Sequence, residues 1–296
     1  MTLISLLPPG PYAIEPACGQ HILRSLETID LHVHLQDWQS QSSQSQSSQL
    51  SAAPRGNVLA EGATAPKQRK SYALDGGVAL LSLTGPMSKG GSPSMGNDAS
   101  TVALRRQVRQ AAADPDAKAI LLKIDSPGGE VAGTSDLAAD VKAAGQVKPL
   151  YVYIEDLGAS AAYWVASQAN AIYAGPSARV GSIGTYLAVE DSSGMADKLG
   201  LKVHVVKAGD YKGAGVPGSP VTPDHLAHFQ AQVDDLNAHF VSGVQRGRGM
   251  TAEQAKALAD GRVYVGAKAR NAGLVDGITS YDAVLTRLKA YKSVSK

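Results

Sequence analysis

Residues 120–131, ILLKIDSPGGEV, join a short apolar run to a turn that contains one proline and two glycines. With Ala119 the run reads AILLKI, which is typical of a strand buried on both faces of a parallel sheet. The turn leads to a helical pattern over Thr134–Ala144. A buried strand, a tight turn and a helix in this order predict an α/β fold with a mostly parallel sheet.

The same alternation extends over most of the chain after Gly77 and predicts repeated βαβ units. Thr222 with Pro223, and Thr251 with Gln254 three residues later, are helix-start signatures. The further strands predicted are Val78–Leu83, Leu150–Ile154, Ala171–Ala174, Tyr186–Val189 and Val203–Val206. The further helices predicted are Ser100–Ala113, Ser160–Gln168, one near Gly194–Leu199, and two that begin at Thr222 and Thr251.

Composition excludes several classes of protein. The chain has 296 residues, of which 44% are hydrophobic, so it can bury a core. A net charge of +2 gives no argument for a nucleic-acid partner, and a single cysteine, Cys18, excludes an internal disulfide framework. Neither a membrane-spanning run nor a signal peptide is apparent, which predicts a cytoplasmic protein with no integral membrane segment.

The chain is expected to have three parts. Residues 1–37 form an N-terminal arm, in which Tyr12–Leu35 has the pattern of one amphipathic helix and a short extended piece. Residues 38–70 include the tract WQSQSSQSQSSQLS and are predicted to be a flexible linker. Residues 71–296 form the main domain.

Three glycine-containing loops at strand ends are candidate functional loops, because ligands bind at the carboxyl ends of strands in open α/β sheets. Ser160 follows a strand and a glycine and precedes an apolar helix; a serine in that place is most often an ordinary helix cap. Gly128 and Gly129 could present N–H groups to an oxyanion, or could merely allow a turn with positive φ. The third loop contains Gly181 and Ser182.

A nucleophilic serine needs a base, and no histidine lies in a glycine-flanked loop. His225 and His228 are spaced for one helix face but have no apparent third ligand, so no metal site is predicted. Lys212 lies in the glycine-rich loop KAGDYKGAG, and a buried neutral lysine can act as a base. Most loop lysines, however, are simply solvated.

Taken together, the motifs resemble the Ser-Lys serine peptidases, the family of signal peptide peptidase A (SppA) and the phage head-maturation proteases. Five segments match in the family's order over roughly Gly77–Gly277, which is far more specific than any one of them. They are ILLKIDSPGGEV (120–131), DLGASAAYWVAS (156–167), ARVGSIGT (178–185), KAGDYKGAG (207–215) and GRVYVGAKARNAGLVD (261–276).

The resemblance implies a ClpP/crotonase-like αβ-superhelix and a serine peptidase domain over residues 71–296. It implies that Ser160 is the nucleophile, Lys212 the general base, and Gly128 and Gly129 the oxyanion hole. Members of the family form ring- or dome-shaped oligomers, in which serine and lysine can come from neighbouring subunits. No metal or organic cofactor is implied.

By the same resemblance, Ser182 and Gly181 line the site, and Ser182 helps to orient the lysine. The N-terminal segment and linker are most similar to phage and prophage members, since no membrane anchor and no fused scaffold tail is apparent. The expected substrates are therefore capsid scaffold and portal proteins, cleaved in the host cytoplasm or the procapsid.

Three other functions remain open at the level of the sequence. The first is an SppA-like peptidase that degrades peptides or signal-peptide fragments. The second is an acyl-CoA enzyme of the crotonase fold, for which Glu130 and Glu155 would be the candidate carboxylates. The third is an inert scaffold that uses the fold only for assembly.

Overall fold

The computed structural model describes residues 12–14, 70–90 and 99–291. Nearly all of these residues belong to one compact unit, which comprises residues 9–15 and 71–296. The predicted helix of the N-terminal arm and all of the predicted linker except Lys70 lie outside the described residues.

The strands of the described residues are β1 (Tyr12–Ile14), β2 (Ala73–Asp75), β3 (Val78–Thr84), β4 (Met87–Ser88), β5 (Ala99–Ser100), β6 (Ala119–Ser126), β7 (Gly128–Glu130), β8 (Leu150–Ala159), β9 (Ala171–Ala174), β10 (Arg179–Gly181), β11 (Val263–Val265) and β12 (Gly277–Ile278). The helices are α1 (Thr101–Ala113), α2 (Thr134–Val147), α3 (Ala161–Ala166), α4 (Ser193–Lys198), α5 (Pro223–Arg248), α6 (Ala252–Ala257), α7 (Ala267–Asn271) and α8 (Tyr281–Lys289). None of these helices is long and apolar enough to cross a lipid bilayer.

The main sheet has the strand order β11-β10-β8-β6-β3-β2. Strands β3, β6 and β8 are parallel neighbours joined through helices, which confirms the predicted α/β class with repeated βαβ units. Strand β8 has two partners on its other side. Residues 151–154 pair with β9, and residues 157–159 pair with β10. The carboxyl end of β8 is therefore held between β6 and β10.

Both faces of this sheet are covered, which explains the uninterrupted apolar runs. In β6, Ile120, Leu122 and Ile124 belong to the large core that includes side chains of α1, α2, α3 and α5. The alternate residues Ala119 and Leu121 belong to a second cluster with side chains of α8. Successive strand side chains point to opposite faces, so one apolar run serves two cores.

A second sheet of four short strands has the order β1-β7-β4-β5. Strand β7 pairs in parallel with β4, with Met87 opposite Gly129. On its other edge β7 pairs antiparallel with β1, with Ala13 opposite Gly129. The Gly-Gly turn predicted after β6 is thus part of a strand with partners on both edges.

Two predicted strands are wrong. Residues 186–189 contain only an isolated bridge at Tyr186, and residues 203–206 contain no strand. An apolar run becomes a strand only where a partner and a covering layer are present, and Val206 is 98% exposed. The helices predicted after Gly77 are confirmed, with small shifts at their ends, and so are the capped starts at Thr222 and Thr251.

A junction around residues 273–276 ties α5 to the sheet. The Arg248 side chain is 9% exposed; it donates to the Gly273 carbonyl at 3.1 Å and pairs with Asp276 at 2.8 Å. Asp276 also accepts the Ile172 N–H of β9 at 2.7 Å. Beside it, the buried Tyr163 hydroxyl of α3 donates to the Leu274 carbonyl at 2.8 Å. This junction holds α3, the helix that follows Ser160.

Replacing Asp276 should reveal a pH-dependent part of the stability. Burial alone would raise the pKa of Asp276, but hydrogen bonds from Arg248 and from the Ile172 N–H outweigh burial and lower it. A lowered folded pKa means that the stabilisation is present above the unfolded pKa and is lost as pH falls through the folded pKa. Asp276→Asn should cost about 1–3 kcal/mol at pH 7, toward the lower value because Asp276 is partly exposed.

Thermal unfolding at pH 7 and pH 3 measures this effect. The difference between wild type and Asp276→Asn should shrink at the lower pH, whereas Asp235→Asn, at an exposed position on α5, should change little at either pH. An equal loss at both pH values for Asp276→Asn would show that the carboxylate charge contributes nothing.

Candidate active site

Ser160 occupies a strained turn between β8 and α3. Its φ of 53° and ψ of −124° lie in a region that side chains other than glycine rarely adopt. The Ser160 N–H donates to the Gly181 carbonyl at 2.8 Å, and the Ser160 carbonyl accepts the Trp164 N–H at 3.0 Å. Strain of this kind costs about 1–3 kcal/mol and persists only where the surroundings impose it.

The Ser160 side chain is not a helix cap. Ser160 is 0% exposed, and its Oγ has no hydrogen-bond partner among the described residues. Ordinary caps in this chain have an extended backbone and an oxygen that accepts a helix N–H, as at Ser100, Thr222 and Thr251. A buried, unpartnered hydroxyl is costly, so its presence on a strained turn points to a function.

The strand register brings the Gly-Gly turn to Ser160. Ser126 of β6 lies opposite Gly158 of β8, so Gly128 and Ser160 each follow two residues beyond a paired position on adjacent strands. The Ser126 hydroxyl donates to the Gly85 carbonyl at 2.6 Å and accepts the Gly128 N–H at 3.2 Å. These bonds fix the conformation of the turn.

Position 129 requires glycine because the backbone of β4 passes very close to it. A Cβ at this position would lie 2.0 Å from the Met87 carbonyl oxygen of β4, well inside van der Waals contact. Gly128 has a φ of 91°, which also favours glycine. Each of the two glycines therefore has its own structural requirement.

The third loop approaches Ser160 from the other side. Gly181 of β10 lies opposite Ala159 of β8, and its carbonyl accepts the Ser160 N–H. Ser182 is 4% exposed, has a φ of 50°, and donates its N–H to the Arg262 carbonyl at 2.7 Å. Among the described non-glycine residues, Ser160 and Ser182 are the two with positive φ. The structure thus gathers Gly128, Gly129, Ser160, Gly181 and Ser182.

Lys212 makes no hydrogen bond to Ser160 within one chain. Ser160 is buried, Lys212 is exposed, and no hydrogen bond joins their side chains. The neighbouring Tyr211 ring packs against α5, with ring centroids 4.8 Å from His228 and 6.3 Å from His225. The lysine loop therefore contacts the surface of α5 through Tyr211.

Negative charge is concentrated at the carboxyl end of β6. The pKa of Asp125 is raised first by burial and then by the nearby carboxylates of Asp156 and Glu155. Glu155 in turn pairs with Lys123 at 3.0 Å. Glu130, which the sequence offers together with Glu155 as a candidate carboxylate, accepts the Lys89 N–H at 3.0 Å.

Two features of the site have no signal in the sequence. The positive φ values of Ser160 and Ser182 occur where their N–H groups bond to the carbonyls of Gly181 and Arg262, which lie on other segments of the chain. The pairing of β7 with β1 depends on three residues that lie far away in the chain, too few to show a periodic pattern.

A strained, buried serine between two glycine turns, at the carboxyl ends of parallel strands, is the layout of a serine hydrolase. The model of Peptidase family S49 matches residues 142–295, so the chain belongs to this family. It is 36% identical over 182 residues to a protein of Methanocaldococcus jannaschii that is named as a protease, a match that covers 62% of this chain and 58% of that protein.

Two further relatives are named by their activity. Capsid assembly protease C of Escherichia phage lambda is 30% identical over 223 residues, which cover 74% of this chain and 50% of that protein. Protease 4 of Salmonella typhi is 30% identical over 182 residues, which cover 61% of this chain and 29% of that protein. The matches thus cover 58%, 50% and 29% of the lengths of these three relatives.

Solved structures similar to this one include proteins of two kinds. An enoyl-CoA hydratase/isomerase family member matches with a TM-score of 0.45 and 15% identity, over 75% of this chain and 76% of its own. The ClpP protease catalytic domain of Plasmodium falciparum matches with a TM-score of 0.44 and 12% identity, over 68% of this chain and 85% of its own.

Two substitutions at Ser160 should separate backbone strain from loss of the hydroxyl. Both Ser160→Ala and Ser160→Gly remove the buried hydroxyl, but only glycine adopts the local φ and ψ without strain. Ser160→Gly should therefore be more stable than Ser160→Ala by about 1 kcal/mol, despite the greater chain entropy of glycine. Chemical denaturation measures the difference. A glycine variant less stable than the alanine variant would show that the turn is not strained.

Proposed function

We propose that the chain is a serine endopeptidase with a Ser160–Lys212 dyad. The observation that carries the proposal is the buried, unpartnered Ser160 hydroxyl on its strained turn beside Gly128. Membership of Peptidase family S49 and the protease names of its relatives support the same chemistry. An inert scaffold gives no reason to maintain a strained, unsatisfied serine.

The proposed reaction is acyl transfer. The neutral Lys212 amine takes the Ser160 proton while Oγ attacks the peptide carbonyl, and N–H groups of the Gly128–Gly129 turn stabilise the oxyanion. Protonated Lys212 then gives its proton to the leaving amine, and water hydrolyses the acyl-enzyme. The Gly128 N–H is held by Ser126 Oγ at 3.2 Å, a long bond that a charged oxyanion can replace.

The lysine is proposed to come from a second copy of the chain. This proposal is supported by the Ser160 hydroxyl, which has no hydrogen-bond partner among the described residues of one protomer, and by the exposure of Lys212. The segment around Lys212 also exposes large apolar side chains, including Leu199 at 67%, Leu201 at 57%, Val206 at 98% and Tyr211 at 52%. A homo-oligomer would cover this surface and bury Lys212, which favours the neutral amine that a base requires.

Mixing two inactive variants tests the shared site. Ser160→Ala and Lys212→Ala should each lower hydrolysis of a fluorogenic peptide library by about 10³-fold or more. If each site takes serine and lysine from different copies, a random equal mixture should recover about a quarter of wild-type activity. Lys207→Ala, which changes a neighbouring lysine of the same segment, should stay active alone. A mixture as inactive as its components would show that the dyad forms within one chain.

The finer proposal is that the substrate is a capsid scaffold or portal protein. The phage lambda relative, named as a capsid assembly protease, aligns over 223 residues, which supports this role. The place of action would then be the host cytoplasm or the procapsid.

The neighbouring genes and their products test the capsid role. The flanking genes should encode portal and capsid proteins, and the purified enzyme should cut the scaffold or portal protein at a few sites in preference to unstructured casein. Flanking genes unrelated to capsids, together with equal cleavage of casein, would instead favour the SppA-like degradation of peptides.

A further inference from the structure

Strand β7 contains both glycines proposed for the oxyanion hole, and each of its edges has a partner. One edge belongs to β4, and the antiparallel partner on the other edge is Tyr12–Ile14. The register places Tyr12 opposite Glu130, Ala13 opposite Gly129 and Ile14 opposite Gly128. A segment more than 110 positions away in the sequence thus lies in extended form along the strand that contains Gly128 and Gly129.

The edge of β7 that β1 covers has the properties of a peptide-binding edge. Gly128 and Gly129 carry no side chains, so a second backbone can approach them closely. An extended peptide that adds to a strand edge is bound through its main-chain N–H and C=O groups. Gly128 and Ser160 each lie two residues beyond the paired Ser126 and Gly158, so a peptide bound along β7 would end close to the turn that contains the serine.

We propose that this edge binds the extended substrate by antiparallel strand addition, and that Tyr12–Ile14 occupies it as an intramolecular competitor. The proposal rests on the proposed peptidase function and adds a regulatory ligand within the same chain. Substrate and β1 cannot pair with the same edge of β7 at once. The active site is therefore closed to peptides whenever β1 is docked.

The sequence around β1 suits a weak ligand. Pro11 and Pro16 flank the strand in the sequence, and proline has no N–H to donate to a neighbouring strand, which limits pairing beyond Tyr12–Ile14. A strand of three residues makes few main-chain bonds, so a substrate with a longer extended segment can displace it.

The expected effect follows from simple competition. A tethered segment with an effective concentration of about 1 mM and an intrinsic Kd of about 0.1 mM raises the apparent KM about tenfold. It leaves kcat unchanged, because saturating substrate displaces it. Releasing β1 should therefore lower KM about tenfold at constant kcat.

Proline substitutions within β1 of the full-length chain provide the test. Ala13→Pro and, as a second variant, Ile14→Pro remove a backbone N–H from the strand. Ser45→Pro, in the Gln/Ser tract, is the matched control. Three measurements are compared with wild type: peptide hydrolysis kinetics, amide hydrogen exchange at residues 128–131, and binding of a fluorescent peptide of residues 9–17, PGPYAIEPA.

Both β1 variants should show a lower KM, faster exchange at residues 128–131 and competitive inhibition by PGPYAIEPA, while Ser45→Pro behaves as wild type. Faster exchange with unchanged KM, in variants that react with a serine-directed fluorophosphonate, would overturn the proposal and leave β1 a structural strand.

If neither wild type nor any variant reacts with the fluorophosphonate, the proposed function fails. Binding of the fluorescent PGPYAIEPA peptide then tests the docking site independently of catalysis. Saturable binding to Ala13→Pro but not to wild type supports a docking site on β7, and no binding to Ala13→Pro refutes it.

Discussion

The arrangement of the site depends on one hydrogen bond, from the Ser160 N–H to the Gly181 carbonyl. This bond joins the end of β8 to the end of β10 and holds Ser160 at a φ of 53°. Without it, the residue after β8 could adopt an ordinary cap conformation, and its hydroxyl could bond to the helix. The constraint therefore keeps the hydroxyl unpartnered and the helix behind it in place.

The remaining parts of the site follow from the parallel strands. Because β6, β8 and β10 end at the same edge of the sheet, the turns after them converge on one point. The junction of Arg248 with Asp276 and the bond from Tyr163 to Leu274 then brace α3 from behind. In the proposed mechanism these supports leave only two components to be supplied from elsewhere, a base and a peptide. Lys212 of another copy and an extended strand on β7 are the proposed sources.

Much of this could be predicted from the sequence, for physical reasons. The long apolar runs of β3, β6 and β8 reflect burial on two faces, and the capped starts at Thr222 and Thr251 are local interactions between residues three apart. The glycine turns were visible because the backbone requirements of Gly128 and Gly129 exclude other residues.

Features that depend on distant partners could not be predicted. The apolar stretch at residues 203–206 is as strand-like as others, yet it has no partner strand and Val206 is exposed. Pairing of β1 with β7 joins residues far apart in sequence, and strands of two or three residues leave no periodic pattern. In the proposed mechanism the position of Lys212 relative to Ser160 is set by a second copy of the chain, and no local sequence pattern predicts such an arrangement.

The most direct test of the central claim is intact mass spectrometry after fluorophosphonate treatment of assembled and monomeric fractions separated by size. A Val206→Glu variant, changed at a 98% exposed position beside the lysine loop, supplies additional monomer. The account predicts one adduct per chain, located on Ser160, in the assembled fraction and almost none in the monomer. A monomer that is labelled as fast as the assembly would contradict it, because Ser160 would then be activated without a lysine from another copy.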